Sequence, residues 1–434
     1  IKKRALEEAQ KIQWSPAHIK EGRFGKWLEG ARDWSISRQR FWASCMPVWE
    51  CSGSESSEQK TVCDYVVVGS VEELEKLSGK KIDDLHKHIL DEVTFSCPSC
   101  NAEMKRIPDV LDTWFDSGSM PYAQLHYPFE NNKKFEAGFP ADFIAEGQDQ
   151  TRAWFYYLHV LSTALRGTPA FQHVIVNGIV LAEDGKKMSK KLKNYPDPNM
   201  MLEKYGADAM RYFMLTSPIV AAENLNFAEA GVREVYNKVV NTLWNVLTFY
   251  TMFAEERGLN TQIDAEKSEN ILDTWILAKL QILVKDVTDN MEAYQLNEAT
   301  RPIMDFVLDL SQWYVRRSRD RFKGADEVDK QYALSTLHFV LSTLCKIMAP
   351  FTPFIAEKVY LSLREGGSGM GEESVHLEMW PEYSEERIVN SEKLLNEMDV
   401  VRKIVELGLS ARAEASIKVR QPLQYVRYQT TKLS

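Results

Sequence analysis

At 434 residues, with 53 Lys and Arg against 62 Asp and Glu, the chain carries a net charge of -9, which argues against nucleic-acid binding through overall charge but leaves local basic surfaces open. Apolar residues make up 44% and charged ones 26%, a soluble globular composition with room for two or more cores. No uninterrupted apolar run approaches the ~18 residues of a membrane span. Six cysteines in so long a chain argue against a disulfide scaffold and for a reducing, cytoplasmic setting.

The start, Ile1-Lys2-Lys3-Arg4, opens a polar helical pattern instead of an apolar secretory core, and the lack of an initiator Met suggests that Ile1 is not the natural start. Further on, Cys97-Pro98-Ser99-Cys100 has the two-residue spacing of a zinc knuckle. Cys51 and Cys63 are candidates to complete a four-cysteine site, across an enlarged Ser/Glu-rich loop; His86 or His88 is a candidate substitute, and free thiols are the plain alternative. Cys45 and Cys345 read as packing residues.

Asp142-Phe143-Ile144-Ala145 reads as a short strand followed by a turn at Glu146-Gly147, Trp154 to Leu165 as a buried helix stopped near Gly167 and Pro169, and Phe171 to Val176 as a second strand. Strand, helix, strand implies a parallel pair with a crossover, hence an α/β sheet whose ligands sit beyond the strands' carboxyl ends. Between the first strand and the helix lies Glu146-Gly147-Gln148-Asp149-Gln150-Thr151-Arg152-Ala153, where backbone donors and short polar side chains can converge on a ligand. The bland alternative makes Asp149 or Thr151 a helix N-cap. Next, the short apolar run within Asn177-Gly178-Ile179-Val180-Leu181-Ala182-Glu183, an Asp184-Gly185 turn and Lys186-Lys187-Met188-Ser189-Lys190-Lys191 read as a hairpin feeding a mobile basic loop. Five lysines between Lys186 and Lys193 repel one another unless something anionic neutralises them; in an acidic protein this points to a polyphosphate.

From about residue 222 the period changes. Val232, Val235, Val239, Leu243, Val246 and Tyr250 recur at helical spacing, and Ile271 to Val287, Pro302 to Phe322 and Tyr332 to Leu363 continue the pattern. The expectation is a helical bundle, with Pro350 and Pro353 interrupting its last long segment, a flexible Gly366 to Gly371 loop, and a further helix from Ser391. Arg316-Arg317-Ser318-Arg319-Asp320-Arg321 and Lys418-Val419-Arg420 are candidate basic surfaces, although a charge run is usually a solvated helix face.

Several of these segments carry a resemblance. The lysine loop resembles the KMSKS loop of class I aminoacyl-tRNA synthetases, with Lys191 in place of the final serine. Asp142 to Phe155 looks like the adenylate-site signature of the isoleucine–tRNA ligases, with Ala153 where glycine is usual. Asp33-Trp34-Ser35-Ile36-Ser37-Arg38-Gln39-Arg40-Phe41-Trp42 resembles the return from the editing insertion, although Ala43-Ser44-Cys45-Met46-Pro47 departs from the usual turn. Asp112-Thr113-Trp114-Phe115-Asp116-Ser117-Gly118-Ser119, Gly206-Ala207-Asp208-Ala209-Met210-Arg211-Tyr212-Phe213 and Trp313-Tyr314-Val315-Arg316-Arg317-Ser318-Arg319 match further family blocks. Together they run from about Trp27 to Pro422.

The resemblance implies the second half of a Rossmann-like catalytic domain over residues 1–221, with a cysteine-containing lobe at about 45–108, and a helical anticodon-binding domain with the start of a C-terminal extension over 222–434. It implies that Glu146, Gly147, Asp149 and Gln150 hold the amino-acyl adenylate. Trp114 and Trp154 would wall the side-chain pocket, and Lys187, Met188, Ser189 and Lys190 would meet ATP, with Lys187 and Lys190 catalytic. Arg316, Arg317 and Arg319 would meet tRNA, and Cys51, Cys63, Cys97 and Cys100 would hold structural Zn2+. Partners would be isoleucine, ATP with Mg2+ and an isoleucine-accepting tRNA, no membrane, with the protein a monomer. None of the eight histidines sits in a His-x-Gly-His arrangement. That HIGH motif and the editing domain are expected to precede Ile1, and the isolated chain is expected to be weak or inactive. Valine– or leucine–tRNA ligase, and a noncatalytic tRNA-binding module, remain as alternatives.

Overall fold

The computed structural model describes residues 1–52, 63, 65–189, 191–257, 263–364 and 371–429; Lys190 and the 366–370 part of the expected glycine loop lie outside them. It divides into two compact units, Ile1–Asn177 and Gly178–Ser434.

In the first unit a three-stranded parallel sheet has Phe171–Asn177 at its centre, flanked by Gln13–Ser15 and Ala141–Gly147. The central strand buries Phe171, Val174, Ile175 and Val176, the near-continuous apolar run expected of an inner parallel strand. The expected crossover is present: Ala141–Gly147 leads through a 3₁₀ turn, Gln148–Arg152, into the helix Trp154–Arg166, which Gly167 stops in the left-handed conformation at φ +69°. The first strand runs two residues past the expected Ala145, so that Glu146 and Gly147 still pair with Val176 and Asn177. Gly118, at the end of the helix Thr113–Gly118, allows a close crossing over Trp154–Arg166, since an added Cβ would lie 2.6 Å from Leu161 Cδ1 and 2.9 Å from the Tyr157 carbonyl oxygen.

A four-stranded antiparallel sheet, in the order Val66–Val67, Val48–Cys51, Glu103–Arg106, Phe95–Ser96, forms a separate lobe. Its small core gathers Trp49, Leu74, Ile82, Leu90, Val93, Phe95 and Met104.

The second unit begins with a short parallel pair, Val180–Leu181 with Leu225–Asn226, and is otherwise helical. The expected apolar stripe is buried at Val232, Val235, Val239, Leu243, Val246 and Tyr250, although a wider π-helical turn at Tyr236–Asn241 interrupts the helix. Ile271–Glu292 and Leu296–Asp309 follow; the latter starts six residues before Pro302, which sits inside it. A π-helical turn at Leu310–Val315 joins it to Arg316–Lys323. Glu327–Met348 ends ahead of Pro350, and Pro353 opens Pro353–Leu363 at the position where a missing N–H costs nothing. The last helix, Glu385–Glu414, starts six residues before Ser391.

The Gly206-to-Phe213 block ties the helix Pro198–Thr216 into this core. Asp208 accepts the Phe354 and Ile355 amides at 3.3 and 2.6 Å, Arg211 donates to the Pro350 and Phe351 carbonyls, and the Tyr212 hydroxyl donates to the Thr300 carbonyl at 2.8 Å. Among the described residues no helix is long and apolar enough to cross a membrane.

Candidate active site

Glu146 stands exposed as the penultimate residue of its strand, and Asp149 is exposed in the turn beyond it. Gly147 allows that approach, because a Cβ there would meet Asp149 Oδ1 at 2.8 Å. The N-cap alternative for Asp149 and Thr151 fails. The Thr151 hydroxyl donates back to the Gln148 carbonyl at 2.7 Å, and it is Gln150 Oε1 that accepts the Trp154 amide at 3.0 Å. Gln150 Nε2 also donates to Asp149 Oδ2 at 3.0 Å, so these two expected ligand residues are held together. Ala153 sits at φ -136° and ψ -114°, outside the left-handed region.

The Asp33-to-Trp42 and Asp112-to-Ser119 segments converge on one carboxylate. Buried Asp112 caps its helix by accepting the Trp114 amide at 3.0 Å, and it also accepts the Trp34 indole N–H at 3.1 Å and the Arg38 guanidinium. Burial pushes the carboxyl up, but the Trp114 amide, the Trp34 indole and Arg38 together hold it below the ordinary aspartate range. Ser37–Arg38 pairs antiparallel with Val110–Leu111 to align the two segments. Arg38 and Asp112 stand in two of the family blocks, but their pairing was not read from sequence, because a distant charge pair is invisible to local periodicity; Tyr157 was not singled out.

Trp114 stacks on Tyr157 with ring centroids 5.1 Å apart and planes at 14°. Trp154 donates its indole N–H to the Ser117 carbonyl at 3.1 Å and lines a cavity of about 250 Å³ with Ile144, Leu158 and Phe171. The two tryptophans are thereby linked through one helix, Thr113–Gly118. A cavity of about 700 Å³, lined by Trp42, Cys45, Trp49, Glu72, His86 and His126, also reaches Thr113 and Asp116 on the helix Thr113–Gly118, but none of the expected adenylate or side-chain-pocket residues lines it.

In the second unit the expected hairpin forms. Leu181 bridges Lys187, the Ala182 amide donates to the Lys186 carbonyl at 2.8 Å, and Gly185 turns the chain at φ +77°. Lys186 pairs with Asp184 at 2.9 Å; that contact raises the lysine above its ordinary range and lowers the aspartate. Lys187 and Lys191 are exposed, and Met188 packs against the helical core. The Ser189 amide donates to Asn194 Oδ1 at 3.0 Å, and Asn194 Nδ2 donates to the Lys187 carbonyl at 3.2 Å. Lys190 lies outside the described residues.

The arginine run splits. Arg316, Arg317 and Arg319 are exposed, with Arg317 over the Trp313 ring at 5.2 Å. Arg321 turns inward to grip both oxygens of fully buried Asp273 at 2.7 and 2.8 Å, and pairs with Asp329. Tyr314 adds a hydroxyl bond to Asp273 at 2.8 Å. Burial opposes the guanidinium charge, yet Asp273 and Asp329 hold Arg321 protonated far above neutrality.

Cys51, Cys63, Cys97 and Cys100 bring their Sγ atoms all within 4.8 Å of one another, with no histidine in the group. Cys51 ends a strand, while a turn through Asn101 at φ +61°, with the Cys97 amide on the Ala102 carbonyl at 2.7 Å, presents Cys97 and Cys100. The Ser99 and Cys100 amides favour the Cys97 thiolate, lowering it to about 7, whereas hydrogen bonding with Cys100 pushes Cys63 up to about 12. Cys45 is half-buried and Cys345 buried; burial pushes both thiols up.

The family described as tRNA synthetases class I (I, L, M and V) matches residues 1–226, and the anticodon-binding domain of tRNA ligase matches residues 273–427. The chain is 49% identical to the isoleucine–tRNA ligase of Chlamydia trachomatis serovar A over 98% of its own length and 40% of that protein. It is 46% identical to the isoleucine–tRNA ligase of Treponema denticola over 99% of its length and 39% of that protein. It thus spans about two fifths of the curated relatives it matches. Among solved structures, a LeuRS–tRNA–LeuAMS complex from Agrobacterium radiobacter K84 matches with TM-score 0.61 and 22% identity, over 82% of this chain and 44% of that one. Mycobacterium tuberculosis methionyl-tRNA synthetase with methionyl-adenylate matches with TM-score 0.54 and 18% identity, over 82% and 60%. With a family match across more than half its length, from the paired strands through the lysine hairpin, the chain belongs to the class I tRNA synthetases (I, L, M and V).

Proposed function

We propose that this chain is part of an isoleucine–tRNA ligase, which joins isoleucine to ATP as isoleucyl-adenylate and then passes the acyl group to its tRNA. One observation carries the reading: 49% identity to an isoleucine–tRNA ligase along 98% of the chain. In this reading residues 1–221 belong to the catalytic domain, with the lobe at about 45–108 inserted, and 222–434 form the anticodon-binding half with the start of an extension. The working enzyme is a cytoplasmic monomer.

The chemistry needs alignment more than a protein nucleophile. An isoleucine carboxylate oxygen attacks the α-phosphorus of magnesium-bound ATP, a P–O bond breaks, and pyrophosphate departs. A ribose hydroxyl of the tRNA then attacks the acyl carbon and releases AMP. Glu146, Gly147, Asp149 and Gln150 hold the adenylate at the strand end. Trp114 and Trp154 shape the side-chain pocket, and Lys187 and Lys190 neutralise charge developing on the phosphates. Lysine suits this as a compact cation on a long stem. Arg316, Arg317 and Arg319 supply phosphate contacts to the tRNA.

The four thiols suit a tetrahedral zinc ion, which would cross-link the lobe without taking part in the reaction. About one zinc per purified chain, lost in Cys97→Ser, is the expected result; zinc-free protein of unchanged melting temperature would refute the site.

The functional test is amino-acid-dependent ATP–pyrophosphate exchange by the whole gene product. Exchange driven by isoleucine above valine and leucine supports the proposal, and preference for either of the latter replaces the substrate. No exchange, with tRNA binding that weakens steeply with salt and ignores ATP, favours the noncatalytic tRNA-binding module.

A further inference from the structure

We propose that Asn194 is a positioning residue for polyphosphate binding, a latch that holds the lysine loop in the shape its cations need. The inference rests on the phosphate reading of that loop.

Like charges crowded into eight residues favour a splayed chain, so a loop that presents them together must be restrained by something else. Three restraints are visible. The Leu181–Lys187 bridge closes the hairpin, and the Met188 side chain packs on the helical core. The third is Asn194. Leu192 and Lys193 donate their amides to the Ser189 carbonyl at 3.1 and 3.0 Å, and Lys193 turns back at φ +48°. That reversal brings the Asn194 side chain against residues five and seven positions earlier, where it accepts from the Ser189 amide and donates to the Lys187 carbonyl.

Both ends of the carboxamide are used, which selects its chemistry. An aspartate could accept from Ser189 but could not donate to Lys187, and its charge would compete with phosphate for the lysines. An alanine would leave both backbone groups to water. The latch spans Met188, so it fixes the backbone on both sides of the residue that anchors the loop. Lys186 is already committed to Asp184, whereas Lys187 is exposed beside the latched carbonyl. Holding that backbone in advance removes an ordering cost from ligand binding.

The test is calorimetric titration of the purified chain with inorganic tripolyphosphate at low salt, for the wild type, Asn194→Ala, Asn194→Asp and Lys187→Ala. Each is paired with a melting curve and with hydrogen exchange of the peptide covering 186–194. The latch requires that Asn194→Ala bind about tenfold more weakly, the effect of losing one to two hydrogen bonds. Asn194→Asp should bind more weakly still, with both folded at the assay temperature and faster exchange confined to the loop. If Lys187→Ala weakens binding but Asn194→Ala exchanges faster and binds as the wild type does, the latch is overturned while the phosphate reading stands. If the wild type binds no tripolyphosphate, or Lys187→Ala binds equally well, the phosphate reading falls and takes the latch with it.

Discussion

The lysine hairpin and the arginine run look alike as sequence, each a knot of cations in an acidic protein, yet the fold treats them in opposite ways. Among the described residues of the hairpin the charges stay outside; of its described lysines only Lys186 has a close carboxylate, and that pair is exposed. In the helix Arg316–Lys323 the run is divided by phase. Ser318, Arg321 and Phe322 share the inward face with Tyr314 of the preceding turn, and Arg316, Arg317 and Arg319 point outward. Density of charge says little by itself. What decides is whether a cation is desolvated against a fixed partner, where it is structural, or left solvated on a restrained backbone, where it remains available to a ligand.

The strongest way to break that contrast is Arg321→Ala. It strands Asp273 as a buried, uncompensated charge, and should cost about 3–5 kcal/mol in unfolding by urea. Its acid behaviour is a second check. Arg321 depresses the Asp329 carboxyl below its unfolded value. The stability this contributes is fully present above the unfolded value, about pH 3.9, and is lost as pH falls through the lower folded value. The variant should lose that part of the acid-side slope.

Lys187→Ala should leave the melting temperature within a degree or so and weaken tripolyphosphate binding by about 1.5–3 kcal/mol, the worth of a charged hydrogen bond. A large loss of stability instead would make Lys187 structural. Arg319→Ala should weaken tRNA binding a few-fold and reduce the salt slope by about 0.7–0.9 per lost phosphate contact; an unchanged slope would leave the outward arginines as solvated surface. Smallest of all, Lys186→Ala should leave the melting temperature close to that of the wild type, because an exposed ion pair contributes little.

The parts legible in sequence were those with short-range signals. The strand, turn and helix around Glu146 carry their own punctuation, Gly147 and Gly167, and the Asp184-Gly185 turn marks the hairpin. The inward phase of Arg321 was also readable, since positions 314, 318, 321 and 322 fall on one helical face, but a search for basic patches groups neighbours in sequence and passes over it. The Asp112 clamp was not readable, because Trp34 and Arg38 reach it across 78 and 74 residues and only tertiary pairing brings them together. Nor could spacing decide among the cysteines; the eleven residues between Cys51 and Cys63 became compatible with one site only when the strand pairing set where Cys51 ends.

Two glycines shape the lysine hairpin, one at its base and one at its tip, and they differ in how much sequence drift they permit. Gly185 is glycine for its backbone angle, and an added Cβ would find its nearest neighbours 3.7 Å away on Asn226. Asparagine, which tolerates that conformation, is an open route for divergence. At Gly178 a Cβ would sit 1.8 Å from the Glu223 carbonyl oxygen, a collision with backbone that no rotamer relieves. Position 178 therefore has no viable neighbour in sequence space, and descendants of this hairpin must keep its base while they vary its tip.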